Sequence, residues 1–249
     1  MMPRPVQWLL SLIFITQMYL VMAAAAVVFA IPALLSRNMA FVGVRFYCNW
    51  VRRSAALLVG LRSEIRGPVP QTEVLIAAKH QSFFDIILLC SVLPRPKFIM
   101  KRELIWAPFL GQYALRMGCI PVDRGKRGTA IAKMKSDVAK GAAQPGQLVI
   151  YPQGTRVAPG EAKPYKMGTG LLYEQLAQTC IPAATNVGVF WPKHGLMRLP
   201  GLAVMQFLPA IPPGQPVPEF MTQMESTVES ASLILMREAG WTQPSEAAA

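Results

Sequence analysis

Acidic residues are scarce in this sequence, and charged residues of any kind are fewer than usual. The 249 residues include 13 Asp and Glu against 25 Lys and Arg, which gives a formal net charge of +12. Charged residues make up 15% of the chain and apolar residues 53%, whereas about 25% charged is typical of a soluble domain. A basic and apolar protein suits an anionic partner, either nucleic acid or the surface of an anionic membrane.

The sequence also lacks the motifs by which many nucleic-acid-binding and metal-binding proteins are known. It has no zinc-ligand spacing, no aromatic-rich RNA-binding motif and no long run of Lys or Arg. None of its four cysteines forms a C-x-x-C pair, and their spacings are wide: Cys48, Cys90, Cys119 and Cys180. We therefore expect free, buried thiols in a reducing compartment, with no metal site and no disulfide. A membrane is favoured over nucleic acid as the anionic partner.

The N-terminal segment carries no charge from residue 5 to residue 36, between Arg4 and Arg37. A membrane-spanning helix needs about 20 apolar residues, whereas the core of a cleavable signal peptide has about 7–15. The alanines at 23–26 resemble a cleavage site, but the apolar run continues well beyond them. The segment is therefore predicted to be an uncleaved membrane anchor whose helix ends or bends at Pro32.

The next segment, residues 38–62, mixes apolar and aromatic residues with arginines. The arginines are Arg45, Arg52, Arg53 and Arg62. Two adjacent arginines near the middle of a membrane-spanning helix would be costly, so an amphipathic helix at the membrane interface, with its arginines at the lipid headgroups, fits better. Residues 1–66 are predicted to form a membrane-associated helical hairpin that enters or crosses the bilayer. The arginines between residues 37 and 66 place this side in the cytoplasm.

Beyond a linker at 66–71, short apolar runs alternate with helical patterns. Strands or extended segments are predicted at 74–78, 97–101, 119–124, 147–151, 184–190 and 202–208, and helices at 82–93, 109–118, 128–143, 168–180 and 218–240. This alternation predicts an α/β domain over residues 67–249, with a mixed, largely parallel sheet flanked by helices. In such sheets binding sites form at the carboxyl ends of the strands.

The nine residues AAKHQSFFD, 77–85, bring a histidine and a carboxylate together at one such strand end. Residues five apart lie about 140° apart in a regular helix, so His80 and Asp85 can meet only if His80 precedes the helix and Asp85 lies in its first turn. The S-x-x-D pattern from Ser82 to Asp85 predicts a capping box and hence that placement. Asp85 would then fix the tautomer of His80, whose other nitrogen could act as a general base.

The same nine residues have a simpler interpretation. A capping Asp needs no catalytic role, and a single loop histidine is most often part of the polar surface. The second histidine, His194, has no carboxylate within six residues on either side and is predicted to be a surface or structural residue.

Three other strand ends carry positive charge. After strand 147–151, Gly154 allows close approach of the backbone to a ligand, and Thr155 and Arg156 can bind phosphate; the alternative is a turn with a solvated arginine. Lys101 precedes an apolar loop that could line a pocket, dip into a membrane or belong to the core. Arg124 is a phosphate candidate or one half of a surface ion pair.

These stretches, taken together over residues 74–190, resemble motifs of the glycerolipid acyltransferases, in particular the bacterial 1-acylglycerol-3-phosphate acyltransferases. KHQSFFD resembles the His-x4-Asp motif of that family. The other four matching stretches are KRELIWAPFLG at 101–111, GCIPVDR at 118–124, YPQGTR at 151–156 and CIPAA at 180–184. Five blocks in this order and at these spacings are much more specific than any one of them.

The resemblance implies that a fatty acyl group passes from a thioester to a lysophospholipid hydroxyl, without an acyl-enzyme. His80 would be the general base oriented by Asp85. Three cations, Lys101, Arg124 and Arg156, would hold the phosphate of the acceptor, with Gly154 and Thr155 shaping that subsite. The co-substrate would be acyl-CoA or acyl carrier protein, with no other cofactor. The other partners would be lysophosphatidic acid and the phospholipids of a bacterial inner membrane, with the active site on its cytoplasmic face and no role for nucleic acid.

One position departs from the family pattern. The third block normally has Glu where this chain has Gln153, which keeps hydrogen bonding but loses the charge. Because the family's block contacts the acceptor head group, another acceptor such as glycerol-3-phosphate or a lyso-ornithine lipid is a second interpretation, and neutral sequence drift is a third. A non-catalytic module that binds anionic lipid is a more distant alternative.

Overall fold

The N-terminal region of the computed structural model is a helical hairpin, as the sequence predicts. The structure describes residues 3–123, 136 and 145–243. Helix α1 (Arg4–Val28), the short α2 (Ala30–Leu35) and α3 (Arg37–Ser54) follow one another, and a π-helical turn, Ala55–Val59, closes the hairpin. The break between α1 and α2 lies at Phe29, three residues before Pro32, because a proline has no N–H to donate to the carbonyl of Val28.

Helix α1 packs on the rest of the protein along one face only. Its buried residues are Gln7, Ser11, Phe14 and Met18, which follow the 3.6-residue period, while large apolar side chains on the opposite face are exposed. Among the described helices, α1 is the one long and apolar enough to cross a membrane by length and composition. Its most apolar 18-residue window has a mean hydropathy of 2.0 and is 22% buried within the protein.

One sheet organises the described part of the remaining chain. Its strands are β1 (Leu61–Arg66), β2 (Leu75–Ala78), β3 (Pro96–Lys101), β4 (Ile120–Val122), β5 (Gln147–Ile150), β6 (Cys180–Thr185) and β7 (Gly201–Phe207). The order across the sheet is β1-β7-β6-β2-β5-β3-β4, and of these pairings β6 with β7 is antiparallel and the others are parallel. Strands β2 to β6 therefore run in one direction and share a carboxyl edge, which confirms the predicted mixed, largely parallel sheet.

Helices cover both faces of this sheet. They are α4 (Phe84–Val92), a 3-10 turn at Arg102–Trp106, α5 (Leu110–Met117), α6 (Gly168–Leu176), α7 (Val187–Phe190) and α8 (Val217–Glu238). One apolar core joins α1, α3 and α4 to one face of the sheet, and a second joins α6 and α8 to the other. Burial of α4 on nearly all sides follows from its almost uniformly apolar sequence.

Two predicted elements differ from the structure. The strand predicted at 184–190 lies earlier, as β6 at Cys180–Thr185, and Val187–Phe190 forms the short helix α7. Strand β1 lies inside the segment predicted to belong to the hairpin, because an edge strand with polar side chains such as LRSEIR does not show a clear apolar alternation. The division of the chain at residue 66 stays a prediction, and the helix predicted at 128–143 lies largely outside the described residues.

The arginines of α3 also differ from the expectation. Arg45 donates to the backbone oxygens of Leu93 and Pro94 at 2.9 and 3.0 Å. Arg52 donates to the hydroxyls of Ser63 and Ser91 at 2.9 and 3.0 Å. These two guanidinium groups therefore join the hairpin to the α/β domain instead of facing lipid headgroups, whereas Arg53 and Arg62 are exposed.

Candidate active site

The histidine–carboxylate pair predicted from the sequence is present at the end of β2. His80 follows the strand by two residues, and its Nδ1 lies 2.9 Å from Oδ2 of Asp85, which is in the first turn of α4. The same oxygen accepts from the backbone N–H groups of Gln81 and Ser82 at 2.7 and 2.9 Å. In return the Ser82 hydroxyl accepts from the N–H of Phe84 at 3.3 Å. One half of the predicted capping box is present, the bond from the Ser82 N–H to Asp85, whereas the Ser82 hydroxyl accepts from Phe84 and not from Asp85. The helix begins one residue later than predicted, with Phe83 as its N-cap, and Asp85 in its first turn still meets His80.

The imidazole of His80 is held on a second side by an aromatic ring. Tyr151, the first residue after β5, stacks on it with a centroid distance of 3.9 Å and an interplanar angle of 17°. Because a carboxylate only accepts hydrogen bonds, Nδ1 is the protonated nitrogen and Nε2 is the one able to accept a proton. Burial raises the pKa of Tyr151 well above its ordinary value, and the charge of Asp85 adds to this, so its hydroxyl stays protonated.

His80 lines a cavity of about 580 Å³ that is mostly apolar. Side chains from α1, α3, α4 and α5 form most of its wall; examples are Met18, Met22, Val44, Ile87, Tyr113 and Met117. None of the described residues that line it is acidic. A cavity of this size and polarity can hold an alkyl chain, with its reactive end beside the imidazole.

The polar part of the cavity wall is cationic. It contains Lys101, Arg156, Lys193 and Arg198, together with Thr155. Arg156 donates to the backbone oxygen of Lys193 at 3.3 Å, and Lys101 is paired with the exposed Glu103 at 3.2 Å. A wall of this charge attracts an anionic substrate group, and the guanidinium of Arg156 is suited to a phosphate.

The loop that follows β5 is joined to the histidine loop by its backbone. The N–H of Val157 donates to the carbonyl of His80 at 2.8 Å. Gly154 has a φ of +69°, which favours glycine, and a Cβ there would lie 2.8 Å from Nζ of Lys166. Gly154 therefore shapes the turn that presents Thr155 and Arg156 to the cavity, without lining it.

Gln153 does not reach the cavity. Its side chain is buried, and its amide nitrogen lies 3.2 Å from the backbone oxygen of Lys163 and 3.4 Å from Oε1 of Glu229 on α8. This placement corrects the interpretation that Gln at this position alters contacts with the acceptor head group. The replacement of Glu by Gln instead changes the charge of a polar cluster behind the site.

Glu229 is the centre of that polar cluster. The buried ammonium group of Lys79, the residue before His80, donates to its two carboxylate oxygens at 2.6 and 2.7 Å. The hydroxyl of Tyr165 donates to the same carboxylate at 2.8 Å. The cluster of Lys79, Gln153, Tyr165 and Glu229 therefore connects the His80 loop, the loop after β5 and helix α8.

The structure places His80, Lys101, Thr155 and Arg156 in the cavity lining, with Asp85 bonded to His80, and their roles stay predictions. Arg124 lies outside the described residues. His194 is exposed, as expected. Sequence reasoning missed Tyr151, Glu229 and the pair of Trp191 and Arg198. The one signal for Tyr151 is that it ends a buried strand and begins the YPQGTR motif; the other three residues carry no local pattern.

Comparison with known proteins agrees with this geometry. A family model described as Acyltransferase matches residues 61–186. The 1-acyl-sn-glycerol-3-phosphate acyltransferase of Pseudomonas aeruginosa is 27% identical over 201 residues, which cover 78% of this chain and 78% of that protein. The human 1-acyl-sn-glycerol-3-phosphate acyltransferase alpha is 29% identical over 186 residues, or 73% of this chain and 66% of that one.

A solved structure shares the fold. The crystal structure of the 1-acyl-sn-glycerophosphate (LPA) acyltransferase PlsC from Thermotoga maritima matches with a TM-score of 0.77 at 16% identity, over 94% of this chain and 99% of that one. The match includes nearly the whole of both chains, so the arrangement of hairpin and sheet is common to the two proteins.

Proposed function

Since the chain belongs to the acyltransferase family, we propose that it moves a fatty acyl group from a thioester to the sn-2 hydroxyl of 1-acylglycerol-3-phosphate, which gives phosphatidic acid. The observation that carries the proposal is the His80–Asp85 pair on a mostly apolar cavity whose lining also includes cations. The apolar lining suits an acyl chain, the cations suit the phosphate, and the imidazole lines the same cavity.

The reaction proposed for this site is a direct transfer. Nε2 of His80 accepts the proton of the acceptor hydroxyl as its oxygen attacks the thioester carbonyl, and Nδ1 keeps its hydrogen bond to Asp85. A C–O bond forms, and the tetrahedral intermediate then collapses with cleavage of the C–S bond. The imidazolium returns its proton to the departing thiolate, so the products are an ester and a free thiol.

Lys101, Arg156 and Thr155 are proposed to hold the acceptor phosphate, with Arg124 as a further cation from the same motif set. The donor is proposed to be acyl-CoA or acyl carrier protein, and the thioester itself supplies the activation, so no further cofactor is needed. Gln153 and Gly154 act through the shape of their loop, since neither lines the cavity.

The protein is proposed to work at the bacterial inner membrane, with the site on its cytoplasmic face. Two observations support this: the exposed apolar face of α1, and the excess of arginine between residues 37 and 66. Helix α1 contributes residues both to the cavity wall and to the exposed apolar face, which is consistent with a lipid acceptor that enters from the membrane.

The test is acyl transfer by the purified full-length protein. The acceptors to compare are 1-acylglycerol-3-phosphate, glycerol-3-phosphate and a lyso-ornithine lipid, with acyl-CoA and acyl carrier protein as donors. We expect 1-acylglycerol-3-phosphate to give the highest kcat/KM, and His80→Ala to lower kcat by about 10²- to 10⁴-fold. Full activity of His80→Ala would overturn the base assignment, and preference for another acceptor would overturn the named substrate.

A further inference from the structure

Arg198 is a buried cation of the cavity wall that no sequence motif indicates. It lies between α7 and β7, beyond the residues that the family model matches. It is 7% exposed, and one Nη nitrogen donates to the backbone oxygens of Gly195 and Met197 at 3.0 and 3.2 Å. Its buried Nε has no hydrogen-bond acceptor among the described residues.

The position of Arg198 is fixed by the membrane-side helix and by aromatic rings. The Ser11 hydroxyl accepts from the backbone N–H of Arg198 at 2.9 Å, and Gln7 donates to its carbonyl at 2.7 Å. The guanidinium carbon lies 4.4 Å from the ring centroid of Trp191. Because backbone and ring both hold it, Arg198 is a preorganised cation and not a mobile surface charge.

The charge of Arg198 is not balanced by an acid in the described part of the chain. The carboxylates that form ion pairs there are bound to other cations, and none of the described cavity-lining residues is acidic. Burial lowers the pKa of Arg198 to about 10, so it remains protonated near neutral pH. Burial of a guanidinium without a counter-ion is unfavourable, and an anion in the cavity beside it would reduce that cost.

The cavity also has more cations than the acceptor phosphate requires. The described lining has four such cations, Lys101, Arg156, Lys193 and Arg198, of which Lys101 is paired with Glu103, whereas a phosphate monoester carries about two negative charges. The reaction proposed above involves two phosphate-bearing molecules, because acyl-CoA and acyl carrier protein both present their thioester on phosphopantetheine. A second phosphate subsite on the cavity wall could therefore bind the second of these molecules.

We propose that Arg198 binds a phosphate group of one of the two substrates, through N–H groups of its guanidinium that do not bond to Gly195 and Met197. The inference rests on the proposed function for the identity of those substrates. The phosphate can come from the pantetheine arm of the donor or from the lipid acceptor, and the chemistry at Arg198 is the same for both.

The two sources are separated by removing one phosphate at a time. Arg198→Met and the wild type are compared with acyl-CoA and acyl-pantetheine as donors, and with 1-acylglycerol-3-phosphate and monoacylglycerol as acceptors. We expect Arg198→Met to raise KM about 10- to 100-fold for one phosphate-bearing substrate, with kcat within about threefold. The increase in KM should vanish with the analogue that lacks that phosphate. Arg198→Lys should raise KM less than Arg198→Met does.

Arg45→Met is the matched control. Arg45 also donates to two backbone carbonyls and also has a buried Nε without an acceptor among the described residues, but it does not line the cavity. We expect Arg45→Met to lower the melting temperature without a phosphate-dependent change in KM. Equal losses with and without each phosphate, or unchanged KM for every substrate, would overturn the role of Arg198. Where Arg198→Met fails to fold, Arg198→Lys gives the same comparison, because Lys keeps the positive charge and loses the paired N–H donors of the guanidinium.

Binding without turnover separates this proposal from the proposed function. The affinities of CoA and of 1-acylglycerol-3-phosphate for the detergent-solubilised protein are measured one at a time by calorimetry, with the wild type and with Arg198→Met. A loss of about tenfold or more for one of the two ligands supports the subsite even if the wild type transfers no acyl group. If the wild type and Arg198→Met bind each ligand with the same affinity, the subsite is overturned, even if acyl transfer is efficient.

Discussion

The imidazole of His80 is oriented by two neighbours that act in different ways. Asp85 accepts its Nδ1–H, and Tyr151 covers its ring. The carboxylate is fully buried and is itself fixed by two backbone N–H groups. The ring nitrogen that faces the cavity is therefore held in one tautomer and one direction before any substrate binds.

Asp85→Asn should separate this orienting role from the helix cap. An amide can donate to Nδ1 and so allows the wrong tautomer, and we expect kcat to fall by about 10²- to 10⁴-fold. Stability should fall by about 1–3 kcal/mol, because the buried side chain loses charge-assisted hydrogen bonds. Ser82→Ala, which removes the hydroxyl that accepts from the N–H of Phe84 and should cost about 1 kcal/mol, should leave kcat close to that of the wild type. An active Asp85→Asn would contradict the pairing as the basis of catalysis.

The four cysteines are free and buried, as expected from their spacing. Burial raises the pKa of Cys119 and of Cys180 to about 12. Alkylation needs the thiolate, so at pH 8 both thiols should resist iodoacetamide in the folded protein and react fully in urea. Between pH 8 and 11 the rate in the folded state should rise about tenfold per pH unit, since the thiolate fraction does so below the pKa. Rapid modification at pH 8 without denaturant, detected by mass spectrometry, would contradict the assignment.

At the scale of elements, helix α8 has a role that its sequence does not suggest. Glu229 joins it to the residue before His80 and to the residue before Gly154, through Lys79 and Gln153. The two loops that carry the reactive groups are thus fixed to a common carboxylate on a helix that covers the sheet. Movement of α8 would change the distance between the imidazole and the cationic loop.

Exchanging the carboxylate between positions 153 and 229 tests this arrangement. Glu229→Gln leaves the buried Lys79 without its carboxylate partner. Gln153→Glu places two carboxylates about one hydrogen bond apart. Each change should therefore lower the free energy of unfolding by about 1–3 kcal/mol and lower kcat. The double exchange restores one carboxylate and one amide, and should recover most of both losses. Glu225→Gln, one turn earlier on α8, is the matched control. Additive losses in the double variant would contradict the cluster as a unit.

At the scale of the whole molecule, helix α1 packs on the protein with one face and exposes an apolar face on the other side. One face is fixed to the domain through Gln7, Ser11 and Phe14, and the other exposes large apolar side chains. An exposed apolar face of this kind is typical of a site of membrane or protein interaction. The cavity wall includes residues of the same helix, so the exposed face and the site share one element.

Lysines placed on the exposed face of α1 should weaken membrane association. Leu9 and Leu20 are 52% and 66% exposed, and a Lys near the centre of a membrane helix costs about 2.5–3.5 kcal/mol. We expect the double Lys variant to shift from the membrane pellet to the supernatant in sedimentation and alkaline-extraction experiments. Ile234→Lys, at a site 58% exposed on α8, should not change the distribution. Unchanged sedimentation of the α1 variant would contradict insertion of this face.

The sequence by itself determined what depends on near neighbours along the chain. The hairpin, the alternation that produces a largely parallel sheet and the His80–Asp85 pair are all local, because period, turn chemistry and a capping box act within a few residues. The motifs at strand ends could be assigned to one site for a related reason. Parallel strands bring their carboxyl ends to one edge of the sheet, whatever the details of packing.

Tertiary structure alone decided which side chains face the cavity and which lie behind it. Gln153 and Arg156 are three residues apart in one loop, yet one is buried against α8 and the other lines the cavity. Glu229 and Arg198 reach the site from segments that show no motif, and Arg45 and Arg52 turned inward instead of to lipid. The reason is physical: a buried charge is stable only where the fold supplies its partners, and those partners come from distant parts of the chain.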